Sequence, residues 1–185
     1  MSDKTKEGQL LLKNGRLGYP KLFTPEPIKG DPNAKPRYSC VFYLPKTDTK
    51  TKEKIDAEIE RLSKLHFKGK IPKASQLFIR DGDGEDGDSN TVGCWIITAN
   101  RAGSQKRPQV VDKDGRTPID SQDTKLYPGC RVNMLVDLFK PNGWDRICCG
   151  LEIVQWIGDD EPFGAGSVKA EDVMPDLSDE DEDEI

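Results

Sequence analysis

The chain has 185 residues, with 28 Lys and Arg against 33 Asp and Glu, a single His, and 34% hydrophobic and 33% charged residues. That length suits one domain with a single core. No apolar run approaches the ~20 residues of a membrane span, and the opening MSDKTKEGQ lacks the apolar stretch of a secretory signal, so a soluble, intracellular protein is expected. The formal charge of −5 hides a split: residues 159–185 hold twelve of the acids and one base, Lys169, leaving 27 bases against 21 acids, a net +6, on residues 1–158.

In chain order, residues 9–23 read as strand material interrupted by Gly15 and Gly18, and Pro25 to Pro36 is a connection punctuated by Pro and Gly. Arg37 to Leu44 alternates, with Tyr38, Cys40, Phe42 and Leu44 on one face and Arg37, Ser39, Val41 and Tyr43 on the other, and Pro45 stops it. Between Thr51 and Phe67 the period becomes helical, because Ile55, Ile59, Leu62 and either Leu65 or His66 share a face. Asp48, Thr49 and Thr51 are candidate N-caps, while Gly69 and Pro72 close the helix. Leu77–Arg80 and Cys94–Arg101 are strands flanking an acidic loop, and Gln109–Asp112 is a short strand before the Asp114-Gly115 turn. Arg131–Phe139 and Arg146–Ile157 are long strands joined by the hairpin signal Pro141-Asn142-Gly143-Trp144. Val132, Met134, Val136 and Leu138 form the core face of the first, leaving Arg131, Asn133 and Phe139 outward. Many short strands around one amphipathic helix predict a mainly β fold, a five-stranded Greek-key barrel of the OB type, which commonly carries such a helix between its third and fourth strands. Residues 1–166 would be the barrel domain. Residues 167–185 would be a disordered acidic tail, because a block of carboxylates cannot bury a core.

Chemistry-bearing motifs are few. The loop from Asp81 to Asp88 contains G-x-G-x-x-G at Gly82, Gly84 and Gly87, yet its carboxylates would repel phosphates and no helical pattern follows. Counted as an EF-hand from Asp81, it places Asp86 where glycine is required and Val92 where the bidentate Glu belongs, so a mobile surface loop is the better reading. Five cysteines form no Cys-x-x-Cys pair and read as reduced strand residues. His66 has no nucleophile beside it in the pattern, and no Walker loop is present. An enzyme, a bound metal and a cofactor are therefore not expected.

What remains is an interleaving of bases and rings, which single-stranded nucleic acid requires: cations neutralise its backbone and flat rings stack on its bases. Arg16, Lys21, Arg37, Arg80, Arg101, Lys106, Arg107 and Arg131 are the candidate phosphate contacts, and Tyr19, Phe23, Tyr43 and Phe139 the candidate stacking rings. Phe42 and Phe78 are expected in the core, and strand phase leaves Trp95, Trp144 and Trp156 unplaced.

The chain resembles the tailed-phage single-stranded DNA-binding proteins. The likeness runs through Gly15-Arg16-Leu17-Gly18-Tyr19 with Leu22-Phe23, Leu44-Pro45-Lys46, Arg80-Asp81-Gly82-Asp83 and Arg107-Pro108-Gln109-Val110-Val111-Asp112. It continues through Leu126-Tyr127-Pro128-Gly129-Cys130 and Gly150-Leu151 with Val154-Gln155 to Gly158-Asp159-Asp160-Glu161-Pro162-Phe163-Gly164. The resemblance implies an OB barrel that coats single-stranded DNA with little sequence preference during phage replication or recombination, in the host cytoplasm. Asp179, Glu180, Asp181, Glu182, Asp183, Glu184 and Ile185 would form a hook for replication proteins. The same arm would compete with DNA for the basic groove. The rival reading, an acidic-tailed scaffold or DNA-mimic protein, is opposed by the basic body.

Overall fold

A computed structural model describes residues 5–28, 31–84, 89–164 and 173–175. Its elements are β1 (Gln9–Glu26), β2 (Arg37–Pro45), α1 (Thr49–His66), β3 (Ile79–Asp81), β4 (Cys94–Ala102), β5 (Gln109–Val111), β6 (Arg131–Phe139) and β7 (Cys148–Gly158), with a short 3₁₀ turn at Ala74–Gln76. The sheet runs β3-β4-β2-β1-β6-β7-β5. A parallel contact between β4 and β7 at Asn100 and Gly150 closes β1, β2, β4, β7 and β6 into a five-stranded barrel. The expected barrel is thus present, with β3 and β5 as short outer additions. The helix, however, follows the second barrel strand, not the third: it lies between β2 and β4 and packs on β1 and β6.

Strand alternation builds the core. Leu12, Leu17, Phe42, Leu44, Ile97, Val132, Met134, Val136, Leu151 and Val154 are all essentially buried. The glycines in β1 do not interrupt it. They allow a single bent strand to serve two partners, since residues from Gln9 to Arg16 pair with β6 and residues from Arg16 to Glu26 pair with β2. At Gly15 a Cβ would lie 2.2 Å from the Phe42 ring, and at Gly18 one would lie 2.6 Å from the Tyr43 ring. Both positions therefore admit only hydrogen, and an aromatic ring occupies the space.

Helix α1 starts two residues earlier than its periodicity indicates, because Asp48 caps it, accepting from the Thr51 backbone N–H at 3.1 Å and from its hydroxyl at 2.7 Å. Ile55, Ile59 and Leu62 are buried as expected, but Leu65 is 63% exposed and His66 is also exposed. The apolar contact at that end comes instead from Phe67, just past the helix, which packs against the core. The second long strand begins at Cys148 instead of Arg146, because the Ile147 N–H leaves the hairpin and donates to the Gln76 carbonyl at 3.0 Å. All five cysteines are free thiols, and burial pushes the Cys130 thiol up to about 11. No helix among the described residues is long and apolar enough to cross a membrane. The segment 167–185, with the hook residues Asp179–Ile185, lies outside the described residues except for 173–175.

Candidate nucleic-acid interface

Directly paired residues on neighbouring strands project to the same face, so the register assembles the outer surface row by row. One row is Arg16, Tyr43, Ile96 and Arg80, from β1, β2, β4 and β3. A second is Lys21, Ser39 and Asn100, continuing to Gly150 on β7 across the barrel seam. A third is Glu26, Arg37 and Ala102. One face of the barrel thus carries basic side chains from widely separated parts of the chain.

At the seam the face deepens into a cleft of about 720 Å³ whose lining includes Arg37, Asn100, Arg101, Phe139, Arg146 and Glu152. Gly150 forms part of its floor, and a Cβ there would sit 3.4 Å from the Phe139 ring, so that ring lies across the seam. Two loops flank the mouth: Ile28, after β1, is 59% exposed, and Trp144, between β6 and β7, is 66% exposed. A second cleft of about 420 Å³ shares Asn100, Arg146 and Cys148 with the first and extends it to Arg80 and Thr98. The combined groove is cationic. Arg37, Arg101 and Arg146 line its first part against Asp137 and Glu152, and Glu152 is paired with Arg101 at 3.1 Å. Burial, reinforced by Glu152 and Glu58, holds the Asp137 carboxyl above its ordinary range. Among the described residues Arg37 and Arg146 make no ion pair, so both guanidinium groups face the groove with their donors available.

A family model described as the Enterobacter phage Enc34 ssDNA-binding protein matches residues 8–185. The chain belongs to the Enc34 family. Among solved structures it is similar to the single-stranded DNA-binding protein of bacteriophage Enc34 in complex with ssDNA, with 32% identity and a TM-score of 0.73 over 86% of this chain and 91% of that one. Its fold is also similar to that of the bacteriophage T7 single-stranded DNA-binding protein gp2.5, with 14% identity and a TM-score of 0.56 over 91% of this chain and 99% of that one. "Putative protein p50" of Acyrthosiphon pisum secondary endosymbiont phage 1 is 29% identical over 187 residues, covering 96% of this chain and 98% of the relative.

In this Enc34-family chain the residues singled out from sequence fall into three environments. Arg37, Arg101 and Phe139 line the cleft, and Arg80 lines its extension. Arg101 is nevertheless committed: besides Glu152, it donates to the carbonyls of Lys106 at 2.6 Å and Leu151 at 3.4 Å, tying β4 to the following loop and to β7. Of the arginines lining the cleft, it is thus the one held by partners of its own.

The second environment is the Arg16 end of the face. Arg131 and Arg16 converge on Asp160, at 2.7 and 3.6 Å, and Arg16 also donates to the carbonyls of Gly129 and Glu161. The Glu161 N–H, then Arg131 and Arg16, hold the Asp160 carboxyl below the usual carboxylate range. Phe163 sits with the Arg16 guanidinium 4.3 Å from its ring centroid and meets Tyr43 edge-on at 5.1 Å. Tyr43 is therefore 6% exposed, a covered ring and not an open stacking platform. Its outward phase in β2 is as expected; the covering residue comes from the far end of the chain.

Elsewhere, Phe23 is half-buried against the core with the Arg107 guanidinium 5.2 Å from its ring, and Lys106 is exposed. Tyr19 is 70% exposed at φ 43°, and Lys21 pairs with Glu26 at 2.7 Å. These residues, from β1 and the loop between β4 and β5, lie outside the cleft lining. Arg146 and Trp144 are the groove residues that the sequence reading missed. The signal is a base and a ring two positions apart at the hairpin signal, Trp144 and Arg146.

The acidic loop has a local account. Lys46 bridges Asp81 at 2.5 Å and Asp83 at 2.7 Å, and the Gly93 N–H donates to Asp83 at 2.8 Å. These bonds hold both carboxyls low and offset one of their two charges, and no metal-binding cluster occurs among the described residues. Residues 85–88 lie outside the described residues.

Proposed function

We propose that this protein coats single-stranded DNA without strong sequence preference and protects it during phage DNA replication or recombination, in the host cytoplasm. The observation that carries the reading is the groove across the β2–β4–β7 seam, where Arg37 and Arg146 flank exposed Phe139 and Trp144. Guanidinium groups without a carboxylate partner neutralise phosphates, and the rings supply stacking surface, which every base can use. Arg80 extends the track, and Arg16, Lys21, Lys106, Arg107 and Arg131 add positive potential that draws in the strand. In this reading residues 1–166 are the DNA-binding domain and 167–185 an acidic arm that competes for the groove and docks replication partners.

Fluorescence anisotropy with labelled single-stranded and duplex oligonucleotides across a salt series tests it. Tighter binding of the single strand, with log affinity falling linearly as log salt rises, is expected. Equal affinity for the two forms, or affinity that ignores salt between roughly 50 and 200 mM, would remove the proposal.

A further inference from the structure

Beside the groove extension, which Ala74 and Ser75 line, the end of α1 carries a surface with a different chemistry. Residues 64–75, KLHFKGKIPKAS, contain Lys64, Lys68, Lys70 and Lys73 and no acid. The turn that presents them is well defined. The N–H groups of Phe67 and Gly69 both donate to the Ser63 carbonyl, at 2.8 and 3.0 Å, and the Lys70 N–H donates to Phe67 at 3.0 Å. Lys68 and Gly69 take φ values of 53° and 81° to make that reversal. Lys64 pairs with Glu60, whereas Lys68, Lys70 and Lys73 make no ion pair among the described residues. Between these cations stand two large aliphatic side chains, Leu65 at 63% and Ile71 at 64% exposure. The stretch holds two rings, Phe67, which packs against the core, and the exposed imidazole of His66.

A basic surface studded with aliphatic groups fits an acidic segment that carries aliphatic groups of its own. It fits nucleic acid less well than the groove does, because Leu65 and Ile71 give bases no flat ring to stack on and His66 is the one exposed ring in the stretch. This chain contains such a segment. Residues 171–185, EDVMPDLSDEDEDEI, place Val173, Met174, Leu177 and Ile185 among nine carboxylates. In the single chain Val173 and Met174 are 59% and 69% exposed, so they are not seated on the patch of their own molecule. We propose that the Leu65–Ile71 lysine patch is a docking surface for the acidic segment of a second copy of this protein. Such a contact joins two unlike surfaces. It leaves a free patch on one copy and a free segment on the other, and so it can propagate along a row of molecules.

The test uses full-length chains without DNA, in sedimentation velocity over a concentration series at low salt. A patch-reversed variant carries Lys68→Glu, Lys70→Glu and Lys73→Glu; a segment-reversed variant carries Glu180→Lys, Glu182→Lys and Glu184→Lys. All substituted lysines are exposed and unpaired, so circular dichroism should show an unchanged fold for the patch variant. Wild type should self-associate, and each variant alone should do so with a dissociation constant raised at least about tenfold. An equimolar mixture of the two variants should recover association, because opposite charges again face one another. Association should weaken as salt shortens the screening length from ~10 Å at 0.1 M toward ~3 Å at 1 M. A wild-type chain that stays monomeric overturns the proposal, including the case in which its own segment folds back onto the patch. Unchanged association in either variant, or a mixture that fails to recover it, overturns the proposal as well. Loss of DNA affinity in the patch variant with self-association intact would assign the lysines to nucleic acid instead.

Discussion

Arg146→Ala should weaken single-stranded DNA binding through charge alone and leave the fold untouched. The side chain is exposed on the loop between β6 and β7, lines both parts of the groove, and has no ion-pair partner among the described residues. Removing one phosphate contact should lower the magnitude of the log-affinity against log-salt slope by about 0.7, equivalent to roughly fivefold weaker binding near 0.1 M salt. Two comparisons isolate the cause. Trp144→Ala removes a ring 66% exposed at the same mouth, and should cost about 1–3 kcal/mol per unstacked base with the slope unchanged. Arg101→Ala breaks the pair with Glu152 and the bonds to the Lys106 and Leu151 carbonyls, so it should lower the urea midpoint, by about 1–3 kcal/mol in stability. Anisotropy titrations at four salt concentrations, each paired with a urea melt, read all three variants. If Arg146→Ala leaves the slope intact, or if Trp144→Ala flattens it, the groove does not carry the strand as argued.

Three further outcomes follow from other parts of the molecule. Gly15→Ala should destabilise the barrel by about 1–3 kcal/mol in urea melts, because its methyl would enter the Phe42 ring space 2.2 Å away; a melt identical to wild type would mean the strand shifts freely. Asp160→Asn should lower stability at neutral pH by about 1 kcal/mol. The folded Asp160 carboxyl lies below its ordinary range, so its contribution is complete above about pH 4 and disappears as pH falls through the folded value, and the gap between variant and wild type should close in melts below that pH. Truncation after Ala170 removes the nine carboxylates of residues 171–185 and should tighten DNA binding most at low salt, because a tethered polyanion competes at high effective concentration; unchanged low-salt affinity would leave the arm without a competitor role.

Much of this fold was legible from local chemistry. Alternation in Arg37–Leu44 and Arg131–Phe139 named the core faces, the Ile55–Ile59–Leu62 spacing named the buried helix stripe, and the charge split separated a basic body from an acidic arm. These are short-range properties: a period of two or 3.6 residues and a run of like charge are written in neighbouring positions. What surrounds an outward side chain is not written there. Tyr43 and Phe139 have the same outward phase, yet Phe163 covers one and the other lies open in a cleft. Arg101 and Arg146 carry the same charge, yet Glu152 and two carbonyls hold the first while the second faces solvent. Gly150 forms part of the floor of the groove because β4 and β7 meet there. Each of these outcomes depends on the register between strands far apart in sequence and on closure of the barrel, and a strand's own residues do not specify which distant partner will lie beside them.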